Sequence, residues 1–167
     1  AEGRLSPRRY LYSLIKRAHK IGLKELNAVT HELYDEALDY ETNELPAAMA
    51  RAQANAPASR RASFFGLTSS KANAATSPEA ALGQALTSLI GLPVSIKDSF
   101  QQRGCDSTCG AAVRCFDVAQ EDGLLVALLR RAGMVPFCRS NVPQMLLLPE
   151  SDNFIFGSTN NPWDMAR

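Results

Sequence analysis

The sequence predicts an α/β fold, and three stretches carry that prediction. Pro93-Val94-Ser95-Ile96 places β-branched residues at alternate positions, the pattern of a short strand. Leu124, Leu125, Leu128 and Leu129 recur at helical spacing and form the expected inward face of a helix. Gly133 ends that helix, and Met134–Cys138 reads as the next strand. Strand, helix and strand in this order imply a right-handed crossover within one sheet.

The elements before this unit follow from local signals. Ser6-Pro7 opens a helix, with serine as N-cap and proline at the first helical position. Tyr10, Leu11, Leu14, Ile15 and Ala18 make its apolar stripe, and Gly22 is the expected stop. Arg8, Arg9, Lys16, Arg17 and Lys20 cover the rest, as a solvated face or as a surface for an acidic partner. Leu26–Thr30 reads as a short strand. An acidic helix follows, with Leu33, Ala37, Leu38 and Ala48 inward, and Pro46 kinks or divides it. Tyr34 and Tyr40 are expected to pack rather than bind. Residues 50–85 are rich in Ala, Ser, Asn and Thr and are broken by Pro57 and Pro78. Arg60-Arg61-Ala62-Ser63 reads as a solvated loop or as a basophilic phosphorylation site. Phe64-Phe65 is expected to anchor this region, and Ser77-Pro78 to open a short helix carrying Leu82, Leu86 and Leu89 inward.

The chemistry-bearing stretch is Gly91–Phe100, GLPVSIKDSF. Lys97 stands at the end of its strand. A lysine delivered by a buried strand loses hydration, which disfavours the ammonium form and lets the amine act as a base toward a serine. Ser95 and Ser99 flank it, but strand alternation is expected to turn both away from it. Phe100–Gly110 is a loop with two glycines. Its Cys109 is either a space-filling thiol or a reactive one. In the later unit, Asp122 is the expected N-cap, and Arg130 and Arg131 suit the helix C-terminus. Asn141-Val142-Pro143-Gln144 then follows a strand end, where functional groups of α/β proteins gather.

Read together, GLPVSIKDSF, Asp106-Ser107-Thr108-Cys109-Gly110, QEDGLLVALLRRAGMVPFCRSNVPQ and FGSTNNPWD resemble, in order and spacing, the amidase signature family and its fatty acid amide hydrolase-like branch. The resemblance covers about Gly91–Asp164, with a looser match at Leu26-Asn27-Ala28. It implies the N-terminal portion of an amidase-signature fold: a mixed sheet flanked by helices. In that family the matching lysine is the base of a Ser–cis-Ser–Lys triad, which makes Lys97 the candidate catalytic residue. The segment matching Gln144–Leu148 runs along the substrate cavity. Met145, Leu146, Leu147 and Leu148 are therefore either an acyl-chain surface or plain core. The residues matching Ser107, Thr108 and Gly110 shape the floor of the site, although Ala111 stands where many members carry a hydroxyl. Trp163 is the expected packing anchor of the NPWD motif. The family's two serines follow that motif and are not among these 167 residues. The expectation is that this chain alone is inactive and is completed by the remainder of the fold or by a second protein chain. The alternative is a non-catalytic structural subunit of a larger assembly.

The implied organisation is an N-terminal helical region at 1–49, an insertion or linker at 50–90, and the start of the amidase core at 91–167. Net charge is +1, which gives no argument for a nucleic-acid or anionic-membrane partner. No apolar run approaches the roughly 20 residues of a membrane span. The first ten residues lack an apolar signal core and could equally be the mature end of a processed chain; the location expected is intracellular, cytoplasmic or organellar. Cysteines at 105, 109, 115 and 138, with histidines only at 19 and 31, do not match metal-ligand spacing. No metal or organic cofactor is expected, and the thiols are expected to be reduced. The partners implied are a small-molecule amide and, as an open option, a second copy of the chain.

Overall fold

The structure, a computed structural model, describes residues 6–55 and 89–165. Helix α1 (Pro7–Arg17) opens as expected, with Ser6 Oγ accepting from the Arg9 amide at 3.3 Å. Leu11 and Ile15 are its buried stripe. The chain does not stop at Gly22. It continues as a wide π-helical turn, Ala18–Leu23, in which Gly22 serves close approach instead: a Cβ there would stand 3.1 Å from Val29 Cγ2. Strand β1 (Val29–Glu32) leads into α2 (Tyr34–Asn43) and α3 (Leu45–Asn55). Pro46 divides the acidic helix as expected. It occupies the first turn of α3, where a missing N–H costs nothing. Leu33, Ala37 and Leu45 are buried, whereas Ala48 is only half-buried. Residues 56–88, which include Arg60–Ser63, Phe64-Phe65 and most of the helix expected after Ser77, lie outside the described residues.

The sheet is mixed. Strand β2 (Pro93–Lys97) pairs in parallel with β3 (Val135–Ser140), and β1 pairs antiparallel with the other edge of β3. The order β1-β3-β2 makes β3 central, and its first five residues are buried. Proline in a central strand is ordinarily excluded because it cannot donate to the ladder. Pro136 is accommodated by a register shift, with Val94 opposite Pro136 and Ser95 opposite Cys138. On the other side the paired register of β1 reaches only Cys138. The core gathers Leu11, Ile15, Val29, Ala37, Val135, Phe137 and Cys138. Tyr34 stacks on Phe137 at 6.5 Å between ring centroids, the packing role expected of it.

Helix α4 (Leu124–Arg131) and Gly133, at φ +80°, sit where the sequence put them, but the helix faces otherwise. Val126 is fully buried, while Leu124, Leu125 and Leu128 are exposed and Leu129 is half-buried. Asp122 is not the cap. Gly123 holds that position, and Asp122 instead accepts from the Arg103 amide at 2.8 Å and pairs with Arg130 Nε at 3.0 Å. The contact with Arg103, with the Gly123 amide on Gln101 O at 2.9 Å, ties the helix start to the preceding loop and fixes the rotation of a helix too short to choose its own face.

Candidate active site

Parallel pairing of β2 and β3 brings Lys97 and Asn141 to the same sheet end, the usual place for a site in α/β architecture. Lys97 stands opposite Ser140, and the Asp98 amide donates to Ser140 O at 3.0 Å. The Lys97 side chain is exposed, so the described residues do not supply the loss of hydration expected for it. Ile96, on the opposite face, is buried. Ser95 is exposed on the same face as Lys97, because residues two apart in a strand share a face. This corrects the expectation that alternation separates them.

Behind Lys97 the chain turns inward. Asp98 is buried and accepts from Thr108 Oγ1, which in turn accepts from the Gly110 amide at 3.0 Å. Arg139 on β3 is fully buried. Its Nη2 stands 3.4 Å from Asp98 Oδ1 and 3.1 Å from Phe100 O, and its Nη1 donates to Gln102 Oε1 at 3.2 Å. Gly110, at φ +68°, is required for two reasons. Its backbone is left-handed, and a Cβ would stand 2.8 Å from Asn153 Cβ and 3.0 Å from Gln144 Cα.

A second network holds the following loop. Asn141 Nδ2 donates to Gly157 O and Thr159 Oγ1 at 2.9 and 3.0 Å, and its Oδ1 accepts from Asn153 Nδ2 at 2.7 Å. Asn153 Oδ1 accepts from the amides of Ile155 and Phe156. Asn27 Nδ2 reaches Phe156 O and Ser158 O, and the Asn160 amide donates to Leu26 O at 2.8 Å. The Leu26-Asn27 segment and the FGSTN segment are therefore docked on each other.

Met145–Leu148 sits beside the Gly110 loop, with the Met145 amide on Cys109 O at 2.7 Å. All four side chains are exposed, Leu147 at 81%, so they are not core of the described chain. Met145 and Leu146 both have positive φ, 52° and 59°, a left-handed turn that orders the apolar surface at a cost in strain. Trp163 is 93% exposed and anchors nothing among the described residues, contrary to expectation. An open cleft of about 570 Å³ lies beside the loop, lined by Ser99, Gln101, Ser107, Arg114, Asp117 and Glu121 among others. It includes neither Lys97 nor Met145–Leu148.

All four cysteines are free thiols. Burial pushes the Cys138 thiol up to about 12 and raises Cys105 as well. Cys109 is buried, with Arg114 Nη1 3.8 Å from its sulfur, as suits a space-filling thiol. The sequence reading missed Arg139, Gln102 and Asn153. An arginine inside the otherwise apolar run VPFCRS was the available signal for the first.

The sequence profile of the amidase family matches residues 44–167, and the chain belongs to that family, the amidase signature enzymes. Fatty-acid amide hydrolase 2-A of Danio rerio is 32% identical over 159 residues, 94% of this chain and 29% of that protein. A glutamyl-tRNA(Gln) amidotransferase subunit of Geobacter sulfurreducens is 35% identical over 141 residues, 81% of this chain and 29% of that protein. A solved fatty acid amide hydrolase superposes with a TM-score of 0.62 over 96% of this chain and 23% of that one, at 19% identity, a likeness of fold. The chain thus spans less than a third of the length of these relatives.

Proposed function

We propose that this chain supplies the base-bearing part of a serine amidohydrolase, with Lys97 as the base of a Ser–cis-Ser–Lys triad. The observation that carries the reading is the position of Lys97, at the C-terminal end of β2 inside the region of amidase-family match. In the complete protein the neutral amine takes a proton through a bridging serine, and the nucleophilic serine adds to the amide carbonyl. The proton held by the lysine is returned to the substrate nitrogen as the C–N bond breaks and the product amine departs, and water then releases the acid from the acyl-enzyme. Both serines lie outside residues 1–167 in this reading, so these residues alone are inactive. The site is covered by the remainder of the fold or by a second chain, which removes water from Lys97. Met145, Leu146, Leu147 and Leu148 hold an apolar acyl chain, and their exposure beside the Gly110 loop favours this over a core role.

The test uses the full-length protein. Serine labelling by a fluorophosphonate and hydrolysis of dodecanoyl p-nitroanilide are measured with and without Lys97→Ala. Loss of both signals in the variant is the expected result. Undiminished turnover would sink the assignment of Lys97.

A second reading, a structural subunit of a larger assembly, draws on the exposed Leu124, Leu125 and Leu128 and on the likeness to an amidotransferase subunit. A stable complex with another protein that persists without any amidase activity is the result that would favour it.

A further inference from the structure

Arg139 is a costly residue to place where it is. It is fully buried in the central strand, and among the described residues its Nε and the Nε2 of Gln102 find no hydrogen-bond partner. Buried donors left unsatisfied cost free energy, and a buried ion pair is weak ground for stability when an apolar pair could fill the same space. What the guanidinium does achieve is local and specific. Its contacts fall on Asp98, Phe100, Gln102 and, at 3.5 Å, Ser107 Oγ, four points of the loop that begins one residue after Lys97. Arg139 is also the register partner of Ile96, and its neighbour Ser140 is the partner of Lys97. One planar fork therefore fixes both where β2 ends and where the loop carrying Thr108 and Gly110 begins.

We propose that Arg139 is a positioning residue for Lys97. By clamping the 98–107 loop it sets the direction in which the lysine leaves the sheet. By pairing with Asp98 it keeps the neighbouring carboxylate turned inward, away from the amine. The inference rests on the reading of Lys97 as the base.

The full-length protein is compared with Arg139→Lys, Arg139→Met, the double variant Asp98→Asn/Arg139→Met, and Lys97→Ala. Urea midpoints and the kcat and KM for dodecanoyl p-nitroanilide are measured on each. Arg139→Met leaves Asp98 buried without its cation and lowers the midpoint. The double variant removes both charges while keeping an acceptor for Thr108, and its midpoint returns toward wild type. Its kcat is expected to stay about tenfold or more below wild type with KM little changed, the mark of a misaimed base. Recovery of both midpoint and kcat would overturn the positioning role, since the pair would then serve folding alone. Should the double variant fail to fold, Arg139→Lys decides, because it keeps the charge and loses the fork. Wild-type kcat there overturns the proposal, and a reduced kcat at unchanged KM supports it. Full turnover by Lys97→Ala would instead remove the reading on which the inference stands.

Discussion

Asn27 and Thr159, 132 positions apart, are joined directly: Thr159 Oγ1 donates to Asn27 O at 2.9 Å. The side chain of Asn27 adds bonds to Phe156 O and Ser158 O, and its backbone is left-handed at φ 53°. Asparagine tolerates that conformation better than most residues. The residue thus closes a long loop by supplying both a conformation and a pair of donors. Asn27→Gly keeps the conformation and loses the donors, whereas Asn27→Ala loses both. The expected destabilisation is about 1–2 kcal/mol for alanine and less for glycine, measured by urea unfolding. Equal midpoints for alanine and wild type would show that the docking contributes nothing.

Two glycines of the Phe100–Gly110 loop separate conformational strain from steric conflict. Gly104 and Gly110 both have positive φ, but a Cβ on Gly104 meets nothing within 4 Å among the described residues. Gly104→Ala is expected to cost about 1–2 kcal/mol, from backbone strain alone. Gly110→Ala adds the collision with Asn153 and the Gln144 backbone and is expected to cost about 2–4 kcal/mol. Calorimetric unfolding of the two variants side by side checks the order. A larger loss at Gly104 would contradict it.

Strands β2 and β3 and their parallel relation were legible because each element announced itself locally: alternating β-branched residues, a leucine repeat and a stop glycine; the first strand, expected at Leu26–Thr30, instead begins at Val29, because Asn27 is left-handed. The position of Lys97 at the end of β2 was legible in the same way. The rotation of α4 was not, because a helix of eight residues bearing four leucines has an obvious apolar face, and nothing local tells which contacts will orient it. The bond from the Arg103 amide to Asp122 and the Gly123–Gln101 contact, each formed about 20 positions away in the chain, decide it. The buried role of Arg139 was hidden for a related reason. Its acceptors lie more than 30 positions away in the chain, and no short-range pattern marks an arginine as satisfied.

Leu147 tests the acyl-surface reading separately from stability. It is 81% exposed in this chain, and as part of a substrate surface rather than of a core it is expected to tolerate Leu147→Ser, with the unfolding midpoint of the full-length protein within about 0.5 kcal/mol of wild type. If the surface holds an acyl chain, KM for dodecanoyl p-nitroanilide rises several-fold while that for the acetyl analogue hardly moves. A parallel rise for both substrates would remove Leu147 from the chain-binding surface.

The buried thiol of Cys138 gives the fold a defined alkaline weakness. Burial raises it from an ordinary value near 9 to about 12 in the native state. Below pH 9 the thiol is protonated in both folded and unfolded chains, and its contribution to stability is fully present. Between pH 9 and about 12 the unfolded chain loses the proton first, so stability falls with rising pH and is lost as the native value is passed. Tyr34 acts in the same direction, raised from 10 to about 12 by burial and then by the charge of Glu32. One such thiol contributes a limiting slope of about 1.4 kcal/mol per pH unit. Cys138→Ala lowers the midpoint at pH 8 by opening a small cavity in β3 but flattens the decline above pH 9. The urea midpoints of the two proteins should therefore converge from pH 8 to pH 11. Parallel curves would mean that the thiol ionises as freely in the core as it does in water.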